Sequence, residues 1–450
     1  MDRRKLMMVV AASGGAFNPL IPKNETKIYG VSWDGSSSPT LTRTGDSIGM
    51  VANAGVDQNV VVNNFDNAQI YKNISTYTDA LGNVFVRIPK FYIEKTVVGA
   101  ACTWRISRTS FSAACYVPAC FGTDGWAYIG KYNASKASTK LQSVSGAYPL
   151  VNDTIVNFRT FAQNNGAGYQ QLDIHAVDLL QVLFLVEFAT LNSQSIMAGL
   201  SAGAYATGHT ATATENAANR VVVANATAAL FVVGQSIGVG TSVGGDQVFT
   251  YQTITSITVV DGSNKALNFD GAAANIATGN IVYSKGWKSG SCDAIVAKSG
   301  CQTNLTNGLY PCMYRGIENP WGNVWQFVDG INIAADYQSW VCPTPASYAS
   351  NLFAAPYEVL SYANANSDGY VKTFGFDATH PYAQFPTVIA GGADTTHYYS
   401  DYYYRLTGQR IALFGAAWFY GAIAGVFCWD LPYASSGASI VVAGRLMRKV

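Results

Sequence analysis

The residues best able to do chemistry are scattered along the chain. Gly234 to Gly238 spells GQSIG, the G-x-S-x-G pattern that places a serine nucleophile, here Ser236, on a strand-to-helix turn. Val239-Gly240-Thr241 instead leads into another β-type run, and no histidine follows before Lys285. The histidines, His175, His209, His380 and His397, lie far apart and fit no metal-ligand spacing. His175 stands beside Asp173 and could be a base, but a helix-start residue on the solvated side is the simpler reading. His380 and His397 flank an aromatic loop and read as hydrogen-bonded loop residues. The eight cysteines (Cys102, Cys115, Cys120, Cys292, Cys301, Cys312, Cys342 and Cys428) include no C-x-x-C pair. Zinc and thioredoxin-type readings therefore lack their signature, disulfide pairing stays open, and buried free thiols are the default. These patterns predict no enzyme, no metal and no cofactor.

Recognition asks less of a sequence than catalysis does, and the C-terminal stretch from Tyr398 to Val450 is built for it. Glycines at bends and large packing residues recur at Gly408, Arg410, Gly415, Trp418, Gly421, Gly425, Phe427, Trp429, Leu431, Gly444, Arg445 and Leu446. Between them sit Ala417, Phe419, Tyr420, Ile423, Cys428, Asp430, Pro432, Tyr433, Gly437, Ser439, Ile440 and Val442, which share no chemical theme. No single reaction needs that mixture. A rigid frame displaying a patch of side chains does: aromatic and aliphatic residues supply contact area at little entropic cost, and Asp430 and Ser439 supply directional hydrogen bonds. An aromatic C-terminal core with turns would account for Trp418 and Trp429, but not for the shuffled residues between them.

The elements that must carry this stretch are mostly strands. Val84 to Val98 alternates apolar and polar residues, predicting a strand bent or edged at Pro89, with further strands at Ala101–Ser107 and Gly125–Tyr132. Asp173 to Leu191 predicts a helix capped by Asp173, with a broad apolar face. Ser201 to Lys285 reads as an insert: a low-complexity linker, then short β runs punctuated by Gly, Asp and Asn, enough for a small β-barrel or sandwich. Within Lys285–Asp336, Trp321, Trp325 and Phe327 are expected in the core, and Gly322-Asn323 in the turn before a strand.

Gly322 to Val328, GNVWQFV, resembles the GNVWEW motif shared by lectin-like domains of the formylglycine-generating-enzyme type and by retroelement-diversified proteins. The C-terminal stretch resembles the variable region of the latter, of which the best known is a phage receptor-binding protein with a C-type-lectin-like fold. The matching frame is Gly415, Trp418, Gly421, Ala424, Gly425, Phe427, Trp429, Leu431, Ala434, Ser435, Ser436, Gly444, Arg445 and Leu446. Ala416 stands where the family has a second glycine, and Cys428 where it has an aromatic residue. Overwriting the first two bases of asparagine codons cannot yield Lys, Glu, Gln, Met or Trp, and none occurs at the interleaved positions. VRIPKFYI resembles the opening strand of prophage tail-fibre proteins, which implies that Val84–Ile93 lies beside Ile440–Met447. Glu318-Asn319-Pro320 resembles the calcium-lectin tripeptide with its letters transposed, and reads as a turn.

The resemblance implies an α+β, β-rich chain: a C-type-lectin-like domain in two parts (residues 81–200 and 286–450), the insert at 201–285, and a loop-rich N-terminal attachment segment at 1–80. It further implies a phage virion protein, a tail fibre or other appendage. Such a protein binds a host cell-surface protein or glycan through the interleaved residues, meets other virion proteins through its N-terminal segment, and forms a homotrimer. A diversified bacterial surface protein is the alternative, and a formylglycine-generating-type oxidase a further one, although that chemistry uses a close cysteine pair where this chain has Cys428 alone.

Composition fits a recognition protein. Charged residues make up 12% of the 450, and 28 basic against 27 acidic side chains leave no basic excess for a nucleic-acid backbone. No run of eighteen apolar residues predicts a membrane span. The start, MDRRKLMMVVAASGG, has the order of a secretory signal with a short apolar run, and a docking peptide or a buried first strand explains it equally well.

Overall fold

The computed structural model describes residues 26–390 and 396–450, so the signal-like start lies outside the described residues. Strands hold 35% of the chain and helices 10%, which makes it α+β and β-rich. Among the described residues no helix is long and apolar enough to cross a membrane.

Three sheets surround one helix. In the first, antiparallel strands run in the order Thr42–Gly45, Ile28–Trp33, Ala101–Ser107, Tyr92–Val98. The second has the order Tyr169–Gln171, Leu446–Arg448, Trp126–Gly130, Val84–Pro89, Ser75–Thr78. Pro89 ends its strand, and the chain crosses to the first sheet at Lys90-Phe91. The strand Val84–Pro89 does not pair with the C-terminal strand, contrary to expectation: Trp126–Gly130 lies between them and pairs with both. Residue 80 falls inside the hairpin Ser75–Pro89, and Ile28–Trp33 pairs with Ala101–Ser107. A division at that residue therefore does not separate the packing.

Helix α1 (Ile155–Gln163) packs on the second sheet, and α2 (Ile174–Phe188) is the centre of the molecule. Asp173 caps α2 by accepting from the Ala176 amide at 2.9 Å. All fifteen residues of α2 are buried, because the run is apolar on nearly every side. Its polar residues survive there by pairing. Asp178 binds Lys95 and the Tyr116 hydroxyl, and Glu187 accepts two hydrogen bonds from Arg315, at 2.8 and 2.5 Å, and one from Asn63. His175 is the exception and a correction. It is 2% exposed rather than solvated, its ring lies 4.0 Å from that of Tyr382, and burial holds its pKa down at about 3. The imidazole is neutral packing material.

The third and largest sheet carries the C-terminal stretch. Its order is Glu358–Ala363, Gln338–Val341, Trp325–Ile333, Arg410–Phe414, Trp429–Leu431, Tyr402–Arg405, Gly369–Phe374, Pro386–Ile389, with Val442–Ala443 added in parallel to Trp325-Gln326. Trp321, Trp325 and Phe327 are fully buried. Within residues 220–284 five strands build a separate antiparallel sheet over its own apolar cluster, including Val221, Phe231, Ile237, Leu267 and Val282.

Candidate ligand-binding face

The C-terminal stretch is held by buried residues, of which Arg445 binds chiefly backbone. Arg445 is 1% exposed and donates to the carbonyls of Gly130, Lys131, Glu318 and Asn319 and to Gln326 Oε1, all at 2.7 to 3.1 Å. One side chain thus joins the second sheet, the Glu318–Pro320 turn and the third sheet. Gly444 passes so close to the Phe158 ring that a Cβ would sit 2.6 Å from it. Trp418, Ala424, Phe427, Trp429, Leu431 and Leu446 are all 3% exposed or less. Ala416 has φ +69°, the left-handed backbone that the glycine it replaces would adopt freely.

The twelve interleaved residues divide. Phe419, Tyr420, Ile423, Pro432, Tyr433, Gly437, Ser439 and Ile440 are partly exposed. Ala417, Cys428 and Val442 are fully buried and Asp430 is 4% exposed, so these four are not the open surface expected of them. The reason is packing. Ala417, Cys428 and Val442 belong to the apolar cluster that holds Trp325, Phe327 and Trp418. Asp430 lies on Trp429–Leu431, which is paired on both sides, by Arg410–Phe414 and Tyr402–Arg405.

An aromatic run includes two of the exposed members, Phe419 and Tyr420. Phe419 stacks on Tyr205 at 4.4 Å and 16° and leans on Tyr420 at 4.9 Å. Tyr420 meets Trp325 at 5.2 Å and Tyr404 at 6.0 Å, both edge-on, and Tyr404 lies 4.6 Å from Tyr402. Ile440 and Tyr205 both close over Gly244, in a loop of the inserted sheet. Sequence reasoning missed Tyr205, Tyr402 and Tyr404. For the last two a signal existed, since Tyr403 between them is fully buried and the strand alternates. Tyr205 sits in the low-complexity linker, which offers no such signal.

The groups suspected of chemistry lie outside the aromatic run. Ser236 is fully buried within the strand Ser236–Gly240, so GQSIG is a strand and not a nucleophile elbow. Burial pushes the thiol of Cys301 up to about 12 and holds those of Cys120, Cys292, Cys312 and Cys428 well above the usual thiol range, which leaves them protonated at neutral pH. His380 bonds Glu358 at 3.0 Å on a loop, and Glu318 accepts the amides of Gly290 and Cys292. Among the described residues no three of His, Cys, Asp and Glu are grouped to hold a metal. No family model and no curated protein matches the chain.

Proposed function

We propose that this chain is a receptor-binding protein of a phage virion, with a C-type-lectin-like domain that grips a bacterial surface molecule through its C-terminal face. The observation that carries the reading is the division just described. Most frame residues are buried, with Arg445 tied to backbone carbonyls and Gly421, Ala434, Ser435 and Ser436 nearer the surface, while eight interleaved residues reach the surface and two of them, Phe419 and Tyr420, stand in one aromatic run. The left-handed backbone at Ala416, where the family has glycine, supports the same resemblance. Affinity comes from Phe419, Tyr420, Tyr433 and Ile440, since a few aromatic anchors usually carry most of an interface's energy. Display in several copies, as in a homotrimer on a tail fibre, multiplies weak single contacts by about 10² to 10⁴.

The test exchanges Ile423, Tyr433, Ser439 and Ile440 together for asparagine. Stability should change little, by about 0.5 kcal/mol per site as for surface positions. Attachment of the purified chain to a panel of bacterial strains should fall by at least about 30-fold or move to other strains, the loss of one anchor of about 2 kcal/mol. Unchanged attachment would mean that the receptor is read on another surface, such as the inserted sheet.

A further inference from the structure

Asp430 differs from every other buried carboxylate among the described residues. Asp178 and Glu187 have cations and hydroxyl or amide donors, Asp329 has Arg159, Glu94 has Arg105, and Asp79, Asp173, Glu318, Asp377 and Asp401 accept from backbone amides. Asp430 is 4% exposed, yet neither oxygen has a hydrogen-bond or ion-pair partner among the described residues. Its oxygens keep a narrow contact with water and meet no donor among the described residues, so the carboxyl is left open to a partner from outside.

Its surroundings are aromatic and negative. On the adjacent strand Tyr404 is its direct partner, with Tyr402 beyond. Burial first, and then charges that include Asp430, raise the phenols of Tyr404 and Tyr420, and Tyr433 lies beside Tyr420. Asp368 adds a second negative charge. The basic residues of the flanking strands are turned to other partners: Arg405 donates to the Tyr337 hydroxyl and lies over its ring, and Arg410 donates to the Thr407 carbonyl. A carboxylate set among electron-rich ring faces is the combination that receives a cation.

We infer that the C-terminal face holds a cationic group of the receptor, a primary ammonium, on Asp430 between Tyr404, Tyr420 and Tyr433. This rests on the receptor-binding reading and adds the ligand's chemistry to it. The ammonium supplies the missing counter-charge, and the three rings receive its remaining faces. Asp430 is itself one of the interleaved residues, so the preference belongs to this version of the face and changes when that position is rewritten.

A pH signature follows. The carboxyl must ionise to hold the cation, and burial, with Asp368 adding to it, pushes its pKa up to about 8. Tyr402, Tyr404, Tyr420 and Cys428, which face it with Tyr433 and Asp368, are all shifted upward by burial, so Asp430 is the group that titrates near neutrality. Binding therefore strengthens as pH rises from 6 to 9, by about tenfold per unit below 8.

The experiment titrates the full chain with N-acetyl-lysine methylamide, and in parallel with glucosamine and O-phosphoethanolamine to separate a peptide amine from a sugar or headgroup amine. Calorimetry reads affinity and the ¹³C shift of labelled Asp430 reads its ionisation. At least one amine should bind with about millimolar affinity and draw the Asp430 titration downward. Its N-acetylated form, and the Asp430→Asn variant with the free amine, should each bind at least about tenfold more weakly. Asp430→Asn should melt no lower than the parent, because it removes an unpaired acid. Equal binding of acetylated and free amines, undiminished binding by Asp430→Asn, or no binding of any amine overturns the inference. If amines fail while the four-site exchange still redirects attachment, the cation site falls and the receptor-binding reading stands. If amines bind at Asp430 but attachment ignores the exchange, the reverse holds.

Discussion

Replacing Arg445 with methionine is expected to destabilise the chain by about 4 kcal/mol or more, read from urea or thermal unfolding. The guanidinium is buried, and burial lowers its pKa to about 9, so it remains charged at neutral pH. No carboxylate among the described residues forms an ion pair with it, although the nearby charge of Glu318 favours its charged form. Five oxygens hold it: Gln326 Oε1 and the carbonyls of Gly130, Lys131, Glu318 and Asn319. Methionine fills similar space and donates nothing, leaving buried acceptors that cost about 1 to 3 kcal/mol each before relaxation. Whole domains are stable by only about 5 to 15 kcal/mol, so most of the variant should be unfolded or aggregated. A loss below about 1 kcal/mol would show that these carbonyls find other partners and that Arg445 is not what joins the two sheets.

Replacing Trp429 with alanine comes next, at about 3 to 5 kcal/mol. The indole lies between Phe385, at 4.7 Å, and Phe414, at 5.6 Å, and is fully buried. Its N–H has no partner among the described residues, so the loss is one of packing and cavity alone. Trp429→Phe should recover part of it. Receptor attachment per folded molecule should survive both changes, because Trp429 faces away from solvent. A stable Trp429→Ala variant that loses attachment would place this ring on the ligand and undo the distinction between frame and face.

Much of the local structure was legible in the sequence because it depends on neighbours in the chain. The Asp173 cap, the strand break at Pro89 and the buried Trp321, Trp325 and Phe327 follow from side-chain type and period. What was hidden is non-local. Nothing in Val84–Pro89 or Leu446–Arg448 announces that Trp126–Gly130 will lie between them. Lys95 and Asp178, or Glu187 and Arg315, become partners only once the sheets close around α2. His175 was misjudged for a different reason. An all-round apolar helix is buried on every side, and that signal, present in LLQVLFLVEF, outweighs the habit of placing histidine in water.

The face was half legible. Alternation between frame and interleaved residues marked out the candidate stretch, and Phe419, Tyr420, Tyr433 and Ile440 do reach the surface. Alternation could not tell which interleaved residues would fall on an interior strand. Asp430 did so, and it turned from a hydrogen-bonding surface residue into an unpaired carboxyl among tyrosines.

Hydrogen exchange of the parent chain, alone and bound to envelope fragments from a strain it attaches to, tests the central claim most directly. Amides that a partner covers exchange more slowly, and those elsewhere do not. The expected result is protection confined to residues 417–423 and 430–440, with the neighbouring strand 402–405 and the linker around Tyr205. Protection across the inserted sheet at residues 220–284, with none in those C-terminal segments, would contradict the account.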